Sequence, residues 1–262
     1  MKVLLYSGGM DSWLIKKLWK PDLSLYVGTG SKYSRVEQRA LERNKETDVE
    51  PISFLNLKQY EREDFIIPYR NVYLCLAALN EVERRFPLEQ MEEDQRIVQI
   101  CLGATAGDRV LDKSPEFAEK LSDLLTYLSA PQHWTGGKSQ RVAIVLPYKN
   151  CTKRQLLEMY CEEKCRAEDL TIQEAMKLAW YKSFSCYTPR KDVPCGKCKA
   201  CARKTVAFVL SGYNEFPIKR YALLARQYFE ESGILKQIED GTYGRAEEEK
   251  DILEFMEATK YW

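Results

Sequence analysis

One histidine, His133, is all the imidazole this 262-residue chain contains, so a hydrolytic triad or histidine-based proton transfer has little material to draw on. An excess of either charge is missing too. Forty basic residues face thirty-nine acidic ones, for a formal net charge of +1, and bulk attraction to nucleic acid or to a membrane surface gains no support. No apolar run approaches the length of a membrane span, and residues 1–6 lead straight into a motif without the pattern of a cleavable signal, so a cytoplasmic protein with no membrane partner is expected. Internal repeats and low-complexity segments are absent. So is the Gly-Lys-Ser/Thr that would make the one N-terminal glycine turn a Walker loop.

What the chain does contain is alternation. A chain of this length can bury a sizeable core and suits one α/β domain with an appended lobe. Short apolar strands are expected at residues 2–6, 23–27, 51–57, 96–102 and 141–146, separated by helical stretches at 11–19, 34–44, 72–86, 114–128 and 152–163. The helix opened by Ser114 and Pro115 should bury Phe117, Leu121, Leu124, Leu125 and Leu128. Strands alternating with helices imply a doubly wound, five-stranded, mainly parallel sheet, whose ligands sit beyond the carboxyl ends of the strands. From residue 170 the chain turns helical, then cysteine-rich, then helical again. The division is placed at 1–165 for the α/β domain and 166–262 for a helical lobe and tail.

The stretch with the most chemistry is Tyr6-Ser7-Gly8-Gly9-Met10-Asp11-Ser12. It follows a strand and runs into a helix, so backbone N–H groups and the positive end of the helix dipole converge on an anion. Gly8 and Gly9 let the backbone approach oxyanions that a Cβ would obstruct. Asp11 suits fixing the loop or holding the Mg²⁺ that accompanies a nucleotide. A plain capped turn is the bland alternative. Arg70, at the entrance of the helix after Pro68, and Lys153, near the start of another helix, are candidates for neutralising phosphate charge. His133 reads as a surface or lid residue, and 89–94 as a solvated acidic loop.

Nine cysteines are present. Cys75 and Cys101 sit in apolar runs and read as buried small hydrophobes, while Cys151, Cys161 and Cys165 carry no clear signal. Cys186, Cys195, Cys198 and Cys201 form a cluster ending in C-x-x-C-x-x-C, with Gly196 closing a knuckle and Cys198 and Cys201 on one helical face. Four thiolates with no open position describe a structural zinc site, with an iron–sulfur cluster as the main rival.

The glycine motif S-G-G-M-D-S resembles the pyrophosphatase loop of the N-type ATP pyrophosphatases. Together with F-S-C-Y and P-C-G-K-C-K-A-C it resembles the QueC family of 7-cyano-7-deazaguanine synthases over roughly residues 1–208. Ile67-Pro68-Tyr69-Arg70-Asn71 is similar to that family's V-P-G-R-N, with tyrosine in place of glycine, and Pro147 with Lys153 is similar to its T-P-L…K segment. The resemblance implies an adenine nucleotide alpha hydrolase-like fold, with ATP and Mg²⁺ at Tyr6 to Ser12 and zinc on the four cysteines. It implies adenylation of 7-carboxy-7-deazaguanine and attack by ammonia, then a second activation that leaves the nitrile. Asp11, Ser12, Arg70 and Lys153 would carry the chemistry. Stopping at the amide, joining the deazapurine to a protein amine, and a non-catalytic zinc- and nucleotide-binding module stay open as alternatives. A homodimer stays open as well, and direct nucleic-acid binding is not expected. Three departures stand out: residues 108–113 are shorter than the family's S-G-Y-P-D-C-R stretch, Lys204 stands where an arginine is expected, and the tail from about residue 209 is longer.

Overall fold

A computed structural model describes residues 1–52, 56–63, 66–90, 92, 96–108, 110–131, 134, 137–189 and 193–262. His133, Arg109 and most of the acidic stretch 89–94 lie outside the described residues. Five strands form one sheet: β1 (Lys2–Leu5), β2 (Leu23–Val27), β3 (Val49–Ile52), β4 (Ile97–Cys101) and β5 (Arg141–Val145). Their order is β3-β2-β1-β4-β5, and every pairing is parallel. Parallel strands need a crossover, and here a helical segment fills each one: α1 (Met10–Trp19), α2 (Ser34–Asn44), α3 (Arg70–Arg85) and α4 (Pro115–Leu128).

Both faces of the sheet are covered, which is why its strands read as nearly continuous apolar runs. Along β1, Val3 belongs to the cluster shared with Cys75, Ala78, Leu79 and Val82 of α3 and Leu121 and Leu125 of α4. Leu4 belongs to the opposite cluster, with Trp13 and Leu14 of α1, Leu156, Leu157 and Tyr160 of α5 (Lys153–Glu168), Ala179 and Trp180 of α6 (Ile172–Lys182) and Phe208 of α7 (Lys199–Leu210). Cys75 and Cys101 are fully buried, as their apolar settings suggest, and Cys161 joins them in the core.

Local chemistry sets the helix starts. Ser114 Oγ accepts from Phe117 N at 3.1 Å with Pro115 in the first turn, and Thr152 with Gln155 and Thr171 with Glu174 form capping boxes at α5 and α6. Three expectations shift. β3 starts two residues earlier than expected, residues 53–55 of the expected strand lie outside the described residues, and Pro51 sits on an edge strand where a missing N–H is tolerated. On α4 the buried stripe is Ala118, Leu121 and Leu125. Leu124 and Leu128 are more than half exposed, because the helix contacts β5 along a narrower face than its apolar content suggests. Cys198 is the N-cap of α7 in extended backbone, and only Cys201 lies within the helix.

Beyond α7, α8 (Ile218–Glu231), α9 (Ile234–Glu239) and α10 (Ala246–Ala258) close a further core around Ala202, Val206, Ala222, Phe229, Ile252 and Phe255. Among the described residues, no helix is long and apolar enough to cross a membrane. The hub between this core and the sheet is Trp180, edge-on to Phe208 at 5.0 Å and to Tyr221 at 5.2 Å, and stacked on Tyr213 at 6.0 Å. Trp180→Ala is therefore expected to cost about 3–5 kcal/mol in denaturant unfolding, the usual loss for a buried aromatic. A loss below about 1 kcal/mol would show that α6 is not the hub described.

Candidate functional site

The site grows from the end of β1. The order reverses at this strand, with β2 on one side and β4 on the other, so the loops after β1 and β4 diverge and leave a crevice. Residues 6–12 line its floor. Gly8 takes φ +73°, the left-handed conformation that only glycine adopts without strain. Ser12 Oγ donates to the Gly9 carbonyl at 3.1 Å and accepts from Ser7 N at 3.2 Å, while the Ser7 and Ser12 hydroxyls meet at 3.2 Å. Gly9 is the extended N-cap of α1, so the loop enters the helix at the end whose first amides have no partners within the helix.

Tyr6 and Met10 point their side chains away from the crevice into the core, each about 2% exposed. Tyr6 donates its hydroxyl to Glu46 Oε1 at 3.2 Å, and Lys16 Nζ donates to Glu46 at 2.6 Å and to Asp48 at 2.7 Å. Burial, with Glu46 beside it, pushes the Tyr6 phenol up, so the group stays neutral. This cluster braces the loop from beneath, and its members come from three separate elements.

Asp11, in the first turn of α1, is ion-paired to Lys153, in the first turn of α5; both side chains are about a quarter exposed. The structure thus joins two of the residues singled out from the sequence across 142 positions. Arg70 opens α3, within electrostatic range of the partly buried Glu37 on α2. Its helix entrance is held by Asn71, whose Nδ2 donates to the Asp112 carbonyl at 3.0 Å. Tyr69, standing where the resemblance calls for glycine, keeps the glycine backbone at φ +59° and is three-quarters exposed.

The loop after β4 supplies Asp108, which sequence reasoning did not single out as a site residue. Burial would raise its carboxyl, but Lys113 at 3.1 Å, the charge of Lys153 and the Thr105 N–H outweigh burial and hold it below the usual range. Lys149 donates to the Asp108 carbonyl oxygen at 2.8 Å. The crevice is therefore edged by alternating lysines and aspartates. An arriving anion would draw the lysines, and a divalent cation the aspartates.

The opposite wall comes from the cysteine-bearing lobe. Phe184 N donates to the Gly8 carbonyl at 2.8 Å, and Met10 N donates to Ser185 Oγ at 3.0 Å. Ser185 is a residue the sequence reading missed; nothing local to F-S-C signals a bond to an amide 175 positions away. Lys204, in the place expected to hold arginine, is buried and donates to the carbonyls of Trp180 at 2.7 Å and Ser183 at 2.6 Å. Burial pushes its ammonium down to about 7. It braces the segment that contacts the loop and does not face the crevice.

Cys186 follows immediately. The Sγ atoms of Cys186, Cys195, Cys198 and Cys201 all lie within 4.8 Å of one another, and Cys195 and Cys201 are 4.0 Å apart. A tetrahedron with Zn–S bonds of about 2.3 Å has edges of roughly 3.8 Å, so the donor set and its spacing fit zinc. Cys195 N donates to Cys186 Sγ at 3.2 Å, a second-sphere bond of the kind that stabilises thiolate ligands. Among the four thiols, bonds from Cys186 and Cys201 hold Cys198 as the thiolate, and the first of these donors rises to about 12 in return. Gly196, at φ +77°, has no room for a side chain, since a Cβ would stand 2.6 Å from Leu224 Cδ1.

Fold and site together define an α/β protein with a glycine loop at the switch point of a parallel sheet and, in the wall facing it, four cysteines that could hold a metal ion. The family model described as "Queuosine biosynthesis protein QueC" matches residues 30–212, and the chain belongs to that family. The glycine loop precedes the matched span and α8–α10 follow it. The chain is 25% identical over 242 residues to the 7-cyano-7-deazaguanine synthase of Psychromonas ingrahamii, and 24% identical over 241 residues to that of Pseudoalteromonas translucida. Each alignment covers 81% of this chain and 95% of the relative. A Leptospira interrogans protein of the same name is 25% identical over 162 residues, covering 61% of this chain and 56% of that protein. No solved structure matches.

Elemental analysis is expected to find about one zinc per chain, falling toward none in Cys198→Ser. Because the loop is bonded to residues beside Cys186, the same substitution should speed hydrogen exchange at the Met10 amide. Full metal content in the variant, or a brown protein with visible absorption, would overturn the zinc assignment.

Proposed function

We propose that the chain is an ATP-dependent C–N ligase that converts 7-carboxy-7-deazaguanine and ammonia to 7-cyano-7-deazaguanine by way of the amide, releasing AMP and pyrophosphate. The observation that carries this reading is the closure of the glycine loop, the Asp11–Lys153 pair and the cysteine-bearing lobe around one crevice, in a chain whose family and relatives bear that name. The proposed division of labour assigns ATP to residues 1–165 and the metal-stiffened wall to 166–262. The shared cluster of Leu4, Leu156, Trp180 and Phe208 makes this a division of function within one packed body.

The chemistry asks more for positioning and charge neutralisation than for a strong base, which suits a chain with one histidine. The acid's carboxylate oxygen attacks the α-phosphorus of ATP and pyrophosphate leaves. Ammonia then adds to the acyl carbon, and AMP leaves with the former carboxylate oxygen. In the second round the amide oxygen takes the adenylyl group, and AMP departs as the nitrogen gives up its protons. The loop N–H groups and the Ser7 and Ser12 hydroxyls would hold the phosphates, and Asp11 would hold the Mg²⁺ that accompanies them. Lys153, drawn off Asp11 by the nucleotide, would face the developing pyrophosphate charge. Arg70 belongs to the proposal as a further positive group, with Glu37 in electrostatic range.

With 7-carboxy-7-deazaguanine, ATP and ammonium, the purified protein should release AMP and pyrophosphate, and mass spectrometry should find the nitrile. ADP as the sole nucleotide product would overturn the mechanism. Ser12→Ala and Asp11→Asn are each expected to lower turnover by about 100-fold or more, the scale for a preorganised polar group at a reacting phosphate, with the unfolding midpoint little changed. Near-normal turnover in either would remove that residue from the scheme.

A further inference from the structure

The last helix lies outside the family-matched span, yet it reaches the crevice. In its first turn Glu248 accepts from Arg203 Nη2 at 2.5 Å, from the Tyr243 hydroxyl at 2.9 Å and from Arg245 Nη1 at 3.1 and 3.3 Å. The same carboxylate rests on the loop after β4. A Cβ on Gly107, which has φ +82°, would stand 3.1 Å from Glu248 Oε1. Below it opens a small cavity of about 30 Å³, lined among others by Lys153, Arg203, Phe229, Glu248, Asp251 and Ile252. The tail thus builds half the wall of a space whose other half carries the lysine paired with Asp11. Arg203 and Lys153 also share a neighbour, Tyr187.

We propose that Arg203 binds the carboxylate of the acyl substrate in this cavity, and that Glu248 is the positioning residue that aims it. This rests on the adenylation reading above. A guanidinium carries five N–H donors in a fixed fork; Arg203 spends Nη2 on Glu248 and also bonds the Tyr243 hydroxyl, and its other donors are left for a planar carboxylate. Two arginines share the one carboxylate of Glu248, and the lining adds one further charge of each sign, Lys153 and Asp251. Phe229 and Ile252 keep one side of the cavity apolar, and a charge-assisted hydrogen bond gains strength where water is excluded. The neighbouring cation cannot do this work: Lys204 is buried on the other side of α7, spent on the carbonyls of Trp180 and Ser183. The nucleotide phosphates already have the loop from Ser7 to Ser12, so the tail-built cavity is left for the acid that must meet them.

The test uses the full-length protein, with equilibrium titrations of 7-carboxy-7-deazaguanine and of ATP, followed by carboxylate-dependent ATP–pyrophosphate exchange. Arg203→Met should weaken carboxylate binding and raise its KM by about 10- to 100-fold, the range for a lost hydrogen bond to a charged group. The KM for ATP should stay within about threefold of its original value under the same reasoning. Glu248→Gln should raise the carboxylate KM by a smaller factor, and Glu248→Asp should recover part of it. Wild-type zinc content and unfolding midpoint would certify the fold, and Arg203→Lys carries the same test should the methionine variant lose its metal. Unchanged carboxylate affinity in folded Arg203→Met, or a rise confined to ATP, would overturn the assignment while leaving adenylation intact. Wild-type protein that binds the carboxylate without exchange would remove the adenylation reading, and the binding arm would still decide the arginine. Wild-type protein that does not bind it would overturn both.

Discussion

Two hydrogen bonds carry the architecture: Phe184 N to the Gly8 carbonyl and Met10 N to Ser185 Oγ, at 2.8 and 3.0 Å. A turn with adjacent glycines loses more chain entropy on ordering than any other sequence would, so it holds one shape only if something outside it specifies that shape. Here the specification comes from a segment near residue 184, itself held on both sides. Lys204 donates into the carbonyls before it, and on α2 Asn44 donates to the Lys182 carbonyl while the Arg43 guanidinium lies 4.6 Å over the Phe184 ring. The next residue is Cys186. A metal at the four thiolates would fix that end of the segment, so its structural contribution would pass within two residues to the glycine loop.

The sheet explains why such different groups meet. In an all-parallel sheet every strand delivers its following loop to the same edge, and the reversal of order at β1 keeps the loops after β1 and β4 from closing over one another. The helix starts at that edge then place Asp11 and Lys153 opposite each other. Arg70 enters at the same edge, and the two cations are not equivalent. Lys153 is tied to the loop by its pair with Asp11, whereas Arg70 lies within electrostatic range of the partly buried Glu37.

Membership of the QueC family rests on the middle of the chain, and the departures from the family pattern are where this protein has its own solutions. Tyr69 retains the left-handed backbone of the glycine it replaces, at a conformational cost of about 1–2 kcal/mol for a residue with a side chain. Lys204 replaces a guanidinium with an ammonium that is fully enclosed, while Arg203 one position earlier faces the cavity instead. A one-residue step along a helix turns a side chain by about 100°, which is enough to exchange a core-facing role for a cavity-facing one. The tail wraps back across α7 to meet that arginine.

Local sequence determined much of this protein. The apolar runs marked all five strands, Ser114 with Pro115 and Thr152 marked helix starts, S-G-G-M-D-S marked the loop, and the cysteine spacing marked the four thiols that converge. These signals are legible because their physical causes act within a few residues: side-chain periodicity, capping, glycine backbone freedom and chelate spacing. The early start of β3 and the exposed Leu124 and Leu128 were not legible, since strand starts and buried faces depend on what packs against them. Tertiary structure alone decided that Lys153 pairs with Asp11, that Ser185 completes the loop, that Lys204 turns inward and that Glu248 returns from the tail to Arg203. Each of these contacts joins residues about 20 to 175 positions apart, and only the order of the strands and the packing of the helices brings such partners within hydrogen-bonding reach.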